Sequence, residues 1–276
     1  MKEEKVKIII TLTVAVFMVF FCLIPFIYMV ITSLSKNPDF LSLQSSFGWT
    51  FGNYKNIFTA RTLHFFEYLR NSIIVSGVSA VVAVFIASLA AYSITRLSLP
   101  AKSFILLFTL SMSMFPQISL VGYLFSLMTK LGWINTYPAL IFPYIAWILP
   151  LSLWILVSYF MQLPKELDKA AIVDGCSTWQ ILYRVILPVA KPGLFSTALL
   201  AFIFAFNEFM FALMFTTDYT ARTIPVGIAL FQGLHGEIPW GNIMAAATIT
   251  TIPIVILVLI FQKNIIQGLT RGAVKG

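Results

Sequence analysis

The sequence predicts an all-α polytopic membrane protein with six transmembrane helices, and two observations carry that prediction. Of its 276 residues 59% are hydrophobic and 10% charged, against about half and about a quarter in soluble domains. The apolar residues also gather into six windows of about 20 residues, the length a helix needs to cross a hydrocarbon core of about 30 Å. The windows are continuous rather than alternating, which argues against a β-barrel. Backbone satisfaction in lipid then leaves helices.

The first window, Ile8 to Leu34, follows Lys2, Lys5 and Lys7. It is too long for a secretory signal and closes on no small-x-small site, so a retained helix is expected. The others run near Ser72 to Thr95, Ser103 to Met128, Pro138 to Phe160, Leu194 to Thr217 and Ile243 to Phe261. Short connections at Arg96 to Lys102 and Thr129 to Tyr137 make the helices they join antiparallel neighbours.

A formal charge of +8 would suit a nucleic-acid partner, but its distribution points to the membrane instead. With the N-terminus inside, twelve of the 18 Lys and Arg residues lie on inner segments and six on outer ones. The positive-inside rule therefore puts both termini in the cytoplasm, and no nucleic-acid partner is expected. Cys22 lies in the first helix and Cys176 in an inner loop, so no disulfide framework is expected. His64 and His235 stand alone on outer segments. No catalytic residues, no metal site and no cofactor bound by this chain are expected, and the absence of a G-x-x-x-x-G-K-[ST] phosphate loop argues that the chain does not hydrolyse ATP itself.

Three regions are expected. Residues 1–69 hold the first helix and an aromatic outer loop, whose Trp49, Tyr54, Phe65, Phe66 and Tyr68 suit the membrane interface. Residues 70–262 form a five-helix core carrying an inner loop at 161–193. Residues 263–276 form a cytoplasmic tail.

That inner loop is dense in local signals. Pro164 tolerates a missing N–H, Glu166 and Asp168 favour the start of a helix, and Gly175 suits the left-handed residue that ends one. Ser177 and Gln180 form a capping box for a second helix. Along it Ile181, Leu182, Val185 and Ile186 make an apolar stripe, and Pro188 and Pro192 are expected to stop it. Two helices meeting at an Asp-Gly corner can lie on the inner lipid surface. They can equally present Ala170 and Ala171, low in relief, to a cytoplasmic partner.

The stretch KAAIVDGCSTWQILYRVILP resembles the Glu-Ala-Ala, Asp-Gly and Leu-Pro pattern of permease subunits in binding-protein-dependent ABC importers. Ala170, Ala171, Asp174, Gly175, Leu187 and Pro188 match it. Lys169 departs from the pattern, which has glutamate there; either Asp168 or Glu166 takes over that charge, or the ATPase partner carries a compensating acid. The likeness runs from about Arg70 onward, and AFNEFMFALMFTTD with the closing GLTRGAVKG resembles the subunit type found in maltose and trehalose importers. It implies a type I ABC importer permease fold and places the corner as a coupling helix on a homodimeric ATPase that uses ATP and Mg. It further implies a second permease subunit, an extracellular sugar-binding protein, and a tail around Gly272, Lys275 and Gly276 that touches the ATPase. The outer segment GLHGEIPWGN would face the binding protein.

Glu208 is the one acidic residue within a span. A charge there costs about 2.5 to 3.5 kcal/mol on insertion scales, so it should face a cavity or a partner. With Asn207 it either lines the translocation path or pins helices by interhelical hydrogen bonds. It also carries the alternative function, an ion-coupled secondary transporter. Pro116, Pro143 and Pro150 could bend spans at a pathway, and Trp147 and Trp154 could stack on a sugar ring.

Overall fold

The computed structural model describes residues 2–36, 48–231 and 238–273. Its helices are α1 (Lys2–Ser33), α2 (Gly52–Thr59), α3 (Phe65–Arg96), α4 (Lys102–Ser113), α5 (Gln117–Lys130), α6 (Tyr137–Phe160), α7 (Glu166–Val173), α8 (Thr178–Val189), α9 (Lys191–Phe206), α10 (Met210–Phe215), α11 (Ile224–Ala229) and α12 (Trp240–Ala273). No strand occurs among the described residues, apart from one isolated bridge between Ser35 and Trp49. Four helices are long and apolar enough to cross a membrane, and the number reaches six if each of two sharply bent pairs is one span.

The expected third span is interrupted. α4 and α5 meet at 85° because Pro116, extended at φ −68° and ψ 125°, begins a new helix instead of continuing the old one. Pro143 and Pro150 do not bend α6 in this way; both are buried inside a helix that runs on through them. The expected fifth span is interrupted as well, at Asn207 to Phe209 between α9 and α10. The 16 residues of α9 rise about 24 Å, short of a core of about 30 Å, and α10 extends that reach.

The chain divides into two compact units, one of residues 1–65 with 228–252 and the other of 66–227 with 253–276. α12 contributes to both units, the first as far as Ile252 and the second from Pro253. In the first unit no residue of α1 between Lys5 and Val30 is buried, so this stretch offers an apolar surface on all its faces. Its end is tied down: Asn53 donates to the carbonyls of Ser33 and Ser35 at 2.8 and 2.9 Å, and the Tyr54 and Ser33 hydroxyls lie 2.7 Å apart. Of the aromatics expected at the interface, Trp49 and Phe66 are exposed, whereas Phe65 and Tyr68 are buried. Tyr68 is held inside because Gly227 leaves room for its ring.

The second unit is built around α6, the most buried span, with Leu140, Leu156 and Phe160 fully enclosed. Close approach to α6 requires a small residue at Gly193 of α9, where a Cβ would stand 2.6 Å from the Tyr159 ring. Asn71 at the start of α3 donates to the carbonyls of Tyr219 and Arg222 and accepts from the Tyr137 hydroxyl at 2.7 Å. A buried side chain with both amide groups used fixes the loop before α11.

The chain is helical as far as Ala273, passing through Gly268 and Gly272. Isolated glycines cost about 1 kcal/mol each in a helix, too little to end one of 34 residues. Lys275 and Gly276 lie outside the described residues, as do His235 and the rest of 232–237.

Candidate functional site

The inner loop forms a helical corner from local hydrogen bonds alone. Gly175 sits at φ +77°, with its N–H bonded to the Ile172 carbonyl at 3.0 Å and the next N–H, of Cys176, to the Ala171 carbonyl at 2.9 Å. This is the Schellman closure, which needs a left-handed residue. Nothing lies within 4 Å of where a Gly175 Cβ would stand, so the backbone conformation, not crowding, demands glycine. Ser177 then opens α8 with a complete capping box: its N–H donates to Gln180 Oε1 at 2.7 Å, and Gln180 N–H to Ser177 Oγ at 3.4 Å.

α8 carries a π-helical stretch at Ile181–Ile186. Ile181, Leu182 and Ile186 of the expected stripe are buried in the core of the second unit. That stripe packs against protein, not lipid. Pro188 does not stop the helix; α8 runs to Val189 and turns by 78° into α9, with Pro192 placed in the first turn of α9, where its missing N–H costs nothing.

The predicted contact residues divide. Glu166, Lys169, Ala170, Asp174, Gly175 and Pro188 are exposed, Leu187 is half-buried and Ala171 is buried. Asp168 turns inward: its Oδ2 lies 3.2 Å from Arg96 Nε, with side chains 15% and 5% exposed. The pair is close in distance but not aligned as a hydrogen bond, and Arg96 donates instead to the Leu163 carbonyl at 2.8 Å. Asp168 is therefore engaged within the chain, which leaves Glu166 as the exposed acid of α7. Sequence reading missed Arg96. It also missed Val173 and Trp179, 87% and 66% exposed beside the corner, where two large apolar residues at one surface point are the available signal.

The second candidate lies where both interrupted spans break. Gln117 opens α5 just after the Pro116 break, and with Trp147, Ile203, Phe204, Asn207, Glu208, Phe209 and Met210 it lines a cleft of about 450 Å³. Trp154 is not among the lining residues. The neighbours Asn207 and Glu208 face different ways. Asn207 is exposed and its Nδ2 closes the end of α9 on the Ile203 carbonyl at 2.8 Å. Glu208 is 9% exposed, and its two carboxylate oxygens accept from the N–H groups of Phe211 at 2.8 Å and Ala212 at 3.2 Å. The carboxylate thus satisfies the free donors at the start of α10. The Tyr144 hydroxyl of α6 faces it together with Thr223, outside well-aligned hydrogen-bond geometry. No cluster of His, Cys, Asp and Glu that could hold a metal occurs among the described residues.

Residues 83–271 match the family of binding-protein-dependent transport system inner membrane components. The chain belongs to this family. The permease is 57% identical, over the full length of both chains, to the trehalose/maltose transport system permease protein MalG of Thermococcus litoralis. It is 44% identical to the trehalose transport system permease protein SugB of Mycobacterium tuberculosis over 82% of each chain. A bacterial ABC transporter involved in the import of the acidic polysaccharide alginate shares its fold, with a TM-score of 0.71 at 20% identity over 92% of this permease and 96% of that chain. The permease is a multi-pass membrane protein of the MalG-like type, with the α-helical fold of an ABC importer permease.

Proposed function

We propose that the chain is the membrane-spanning subunit of an ATP-driven importer of trehalose, maltose or a related oligosaccharide. It works with a second permease, a separate homodimeric ATPase and a sugar-binding protein on the outer side, with both of its own termini in the cytoplasm. The observation that carries the reading is structural continuity from the α7 corner to the cleft. α8 begins at the capped corner, turns at Ala190 into α9, and α9 ends at Asn207 in the cleft wall. An ATPase that grips the exposed face of α7 and closes on ATP would tilt α8, and α9 would carry that tilt to the cleft. This is a two-state element biased by ATP at one end and by the loaded binding protein at the other.

The cleft supports the sugar assignment. Trp147 supplies an aromatic face, and Gln117 and Asn207 supply amides, the mixture of flat apolar surface and convergent polar groups that orients a small polar ligand. Interrupted helices that expose backbone toward a cavity are the expected architecture of a membrane substrate path. Glu166, Ala170, Asp174, Gly175 and Pro188 form the docking face toward the ATPase, and Gly272 with the residues after it extends the contact.

Proteoliposomes holding the whole complex test the proposal. Uptake of labelled trehalose or maltose should require both ATP and binding protein, and should persist when a protonophore collapses the proton gradient. Uptake that survives ATP depletion and stops with the protonophore would instead make the chain an ion-coupled transporter centred on Glu208.

A further inference from the structure

Behind the corner the second unit holds another cleft, of about 500 Å³. One side of it is formed by α7, whose positions 165, 168, 169 and 172 share a face at helical spacing, and the other by the end of α3 with the connection into α4. Its charged lining is Arg96, Lys102, Lys165 and Lys169 against the single acid Asp168. Three ammonium groups therefore border one concavity whose single lining carboxylate lies against the Arg96 guanidinium. The rest of the wall is amphipathic, with the Thr95 and Ser98 hydroxyls near apolar Leu97, Ile172 and Ile181.

We propose that this cleft binds the phosphate group of an anionic membrane lipid. Like charges gathered in a concavity raise the local concentration of anions, and the lysine ammonium is a strong point-charge partner for phosphate. A free phosphate would use only the basic wall. A lipid uses both, with its phosphodiester among the lysines and its glycerol and first acyl carbons along Leu97, Ile172 and Ile181. Basic pockets beside spans on the inner side of a membrane take headgroups in this way, so the placement rests on the cytoplasmic orientation proposed above. A bound lipid would brace α7 against α3 from behind while its opposite face meets the ATPase.

The test is native mass spectrometry of the complete transporter released from nanodiscs of phosphatidylglycerol and phosphatidylcholine in equal parts. The wild type is expected to retain phosphatidylglycerol selectively. Lys102→Gln with Lys165→Gln should reduce that retention about 25-fold, since each lysine beside an anionic lipid contributes about a fivefold factor. Equal retention of the two lipids, or no change in a double variant that assembles normally, overturns the proposal. A third arm exposes lipid-stripped complex to millimolar inorganic phosphate: stabilisation by phosphate that the double variant loses, with no lipid preference, overturns the lipid source. An ATPase side chain found filling the cleft in the assembled complex overturns it too. The readout is bound lipid, so failure of sugar uptake would count against the transport reading without touching this one.

Discussion

Arg96, the last residue of α3, reaches Asp168 on α7 across 3.2 Å and holds the inner loop against the span. The two residues are far apart in sequence, and the contact joins the docking element to the membrane helices at a point where both side chains are nearly enclosed.

Asp168→Asn should loosen α7 without unfolding the spans. It leaves the Arg96 guanidinium mostly buried with one carbonyl partner, a loss of about 1 to 3 kcal/mol. Hydrogen exchange at residues of α7 would rise several-fold while α6 stays protected; unchanged exchange in α7 would mean the pair contributes nothing.

Gly175 separates backbone strain from bulk. Gly175→Ala costs about 1 to 2 kcal/mol for the left-handed conformation and meets no neighbour in the chain, so expression and insertion should persist. Gly175→Leu adds a large group to the exposed corner and should abolish uptake and co-purification of the ATPase. Uptake at the wild-type rate in the leucine variant would remove the corner from the coupling path.

Gly193→Ala should be strongly destabilising, by about 1 to 3 kcal/mol, because its Cβ would stand 2.6 Å from the Tyr159 ring. Adding Tyr159→Leu should restore part of the loss, a coupling that a thermal-shift double-mutant cycle measures.

Glu208→Gln keeps one acceptor oxygen for the Phe211 or Ala212 N–H, whereas Glu208→Ala keeps none. Each unmet donor costs about 1 to 3 kcal/mol. The alanine variant should lose stability and uptake together, with glutamine intermediate. A glutamine variant as damaged as alanine would show that the charge itself is required.

Asp218 sets an acid limit on the loop after α10. Bonds from the Thr220 hydroxyl and N–H at 2.6 and 2.7 Å, with Asn135 close by, lower its carboxyl from the usual carboxylate range to about 2. A depressed folded-state value means the stabilisation is present above the unfolded value and is lost as pH falls through the folded one. Titration by carbon NMR should show this carboxyl ionised until pH approaches about 2, and Asp218→Asn should remove the transition.

The spans, the Asp-Gly corner and the capping box were legible because their causes lie within a few residues: apolar run length, a left-handed glycine, a serine three places before a glutamine. The break at Asn207 to Phe209 was not. Only Asn207 and Glu208 interrupt the apolar run there, and what sets the break is an amide closing α9 on the Ile203 carbonyl and a carboxylate reaching forward to the first N–H groups of α10, a geometry that composition does not announce. Glu208 was visible as an acid in a span, but its backbone partners were not. The inward turn of Asp168 depends on Arg96 of another helix, and the burial of Phe65 and Tyr68 depends on tertiary neighbours that interfacial preference ignores.

The split between Asn207 and Glu208 has a mechanical meaning. One residue closes the end of α9 and the next is fastened to the start of α10, so the short link from Asn207 to Phe209 joins two separately anchored rods. Rotation of the first can be taken up at that pivot without unwinding either, and the wall of the cleft changes shape at the cost of a few backbone torsions.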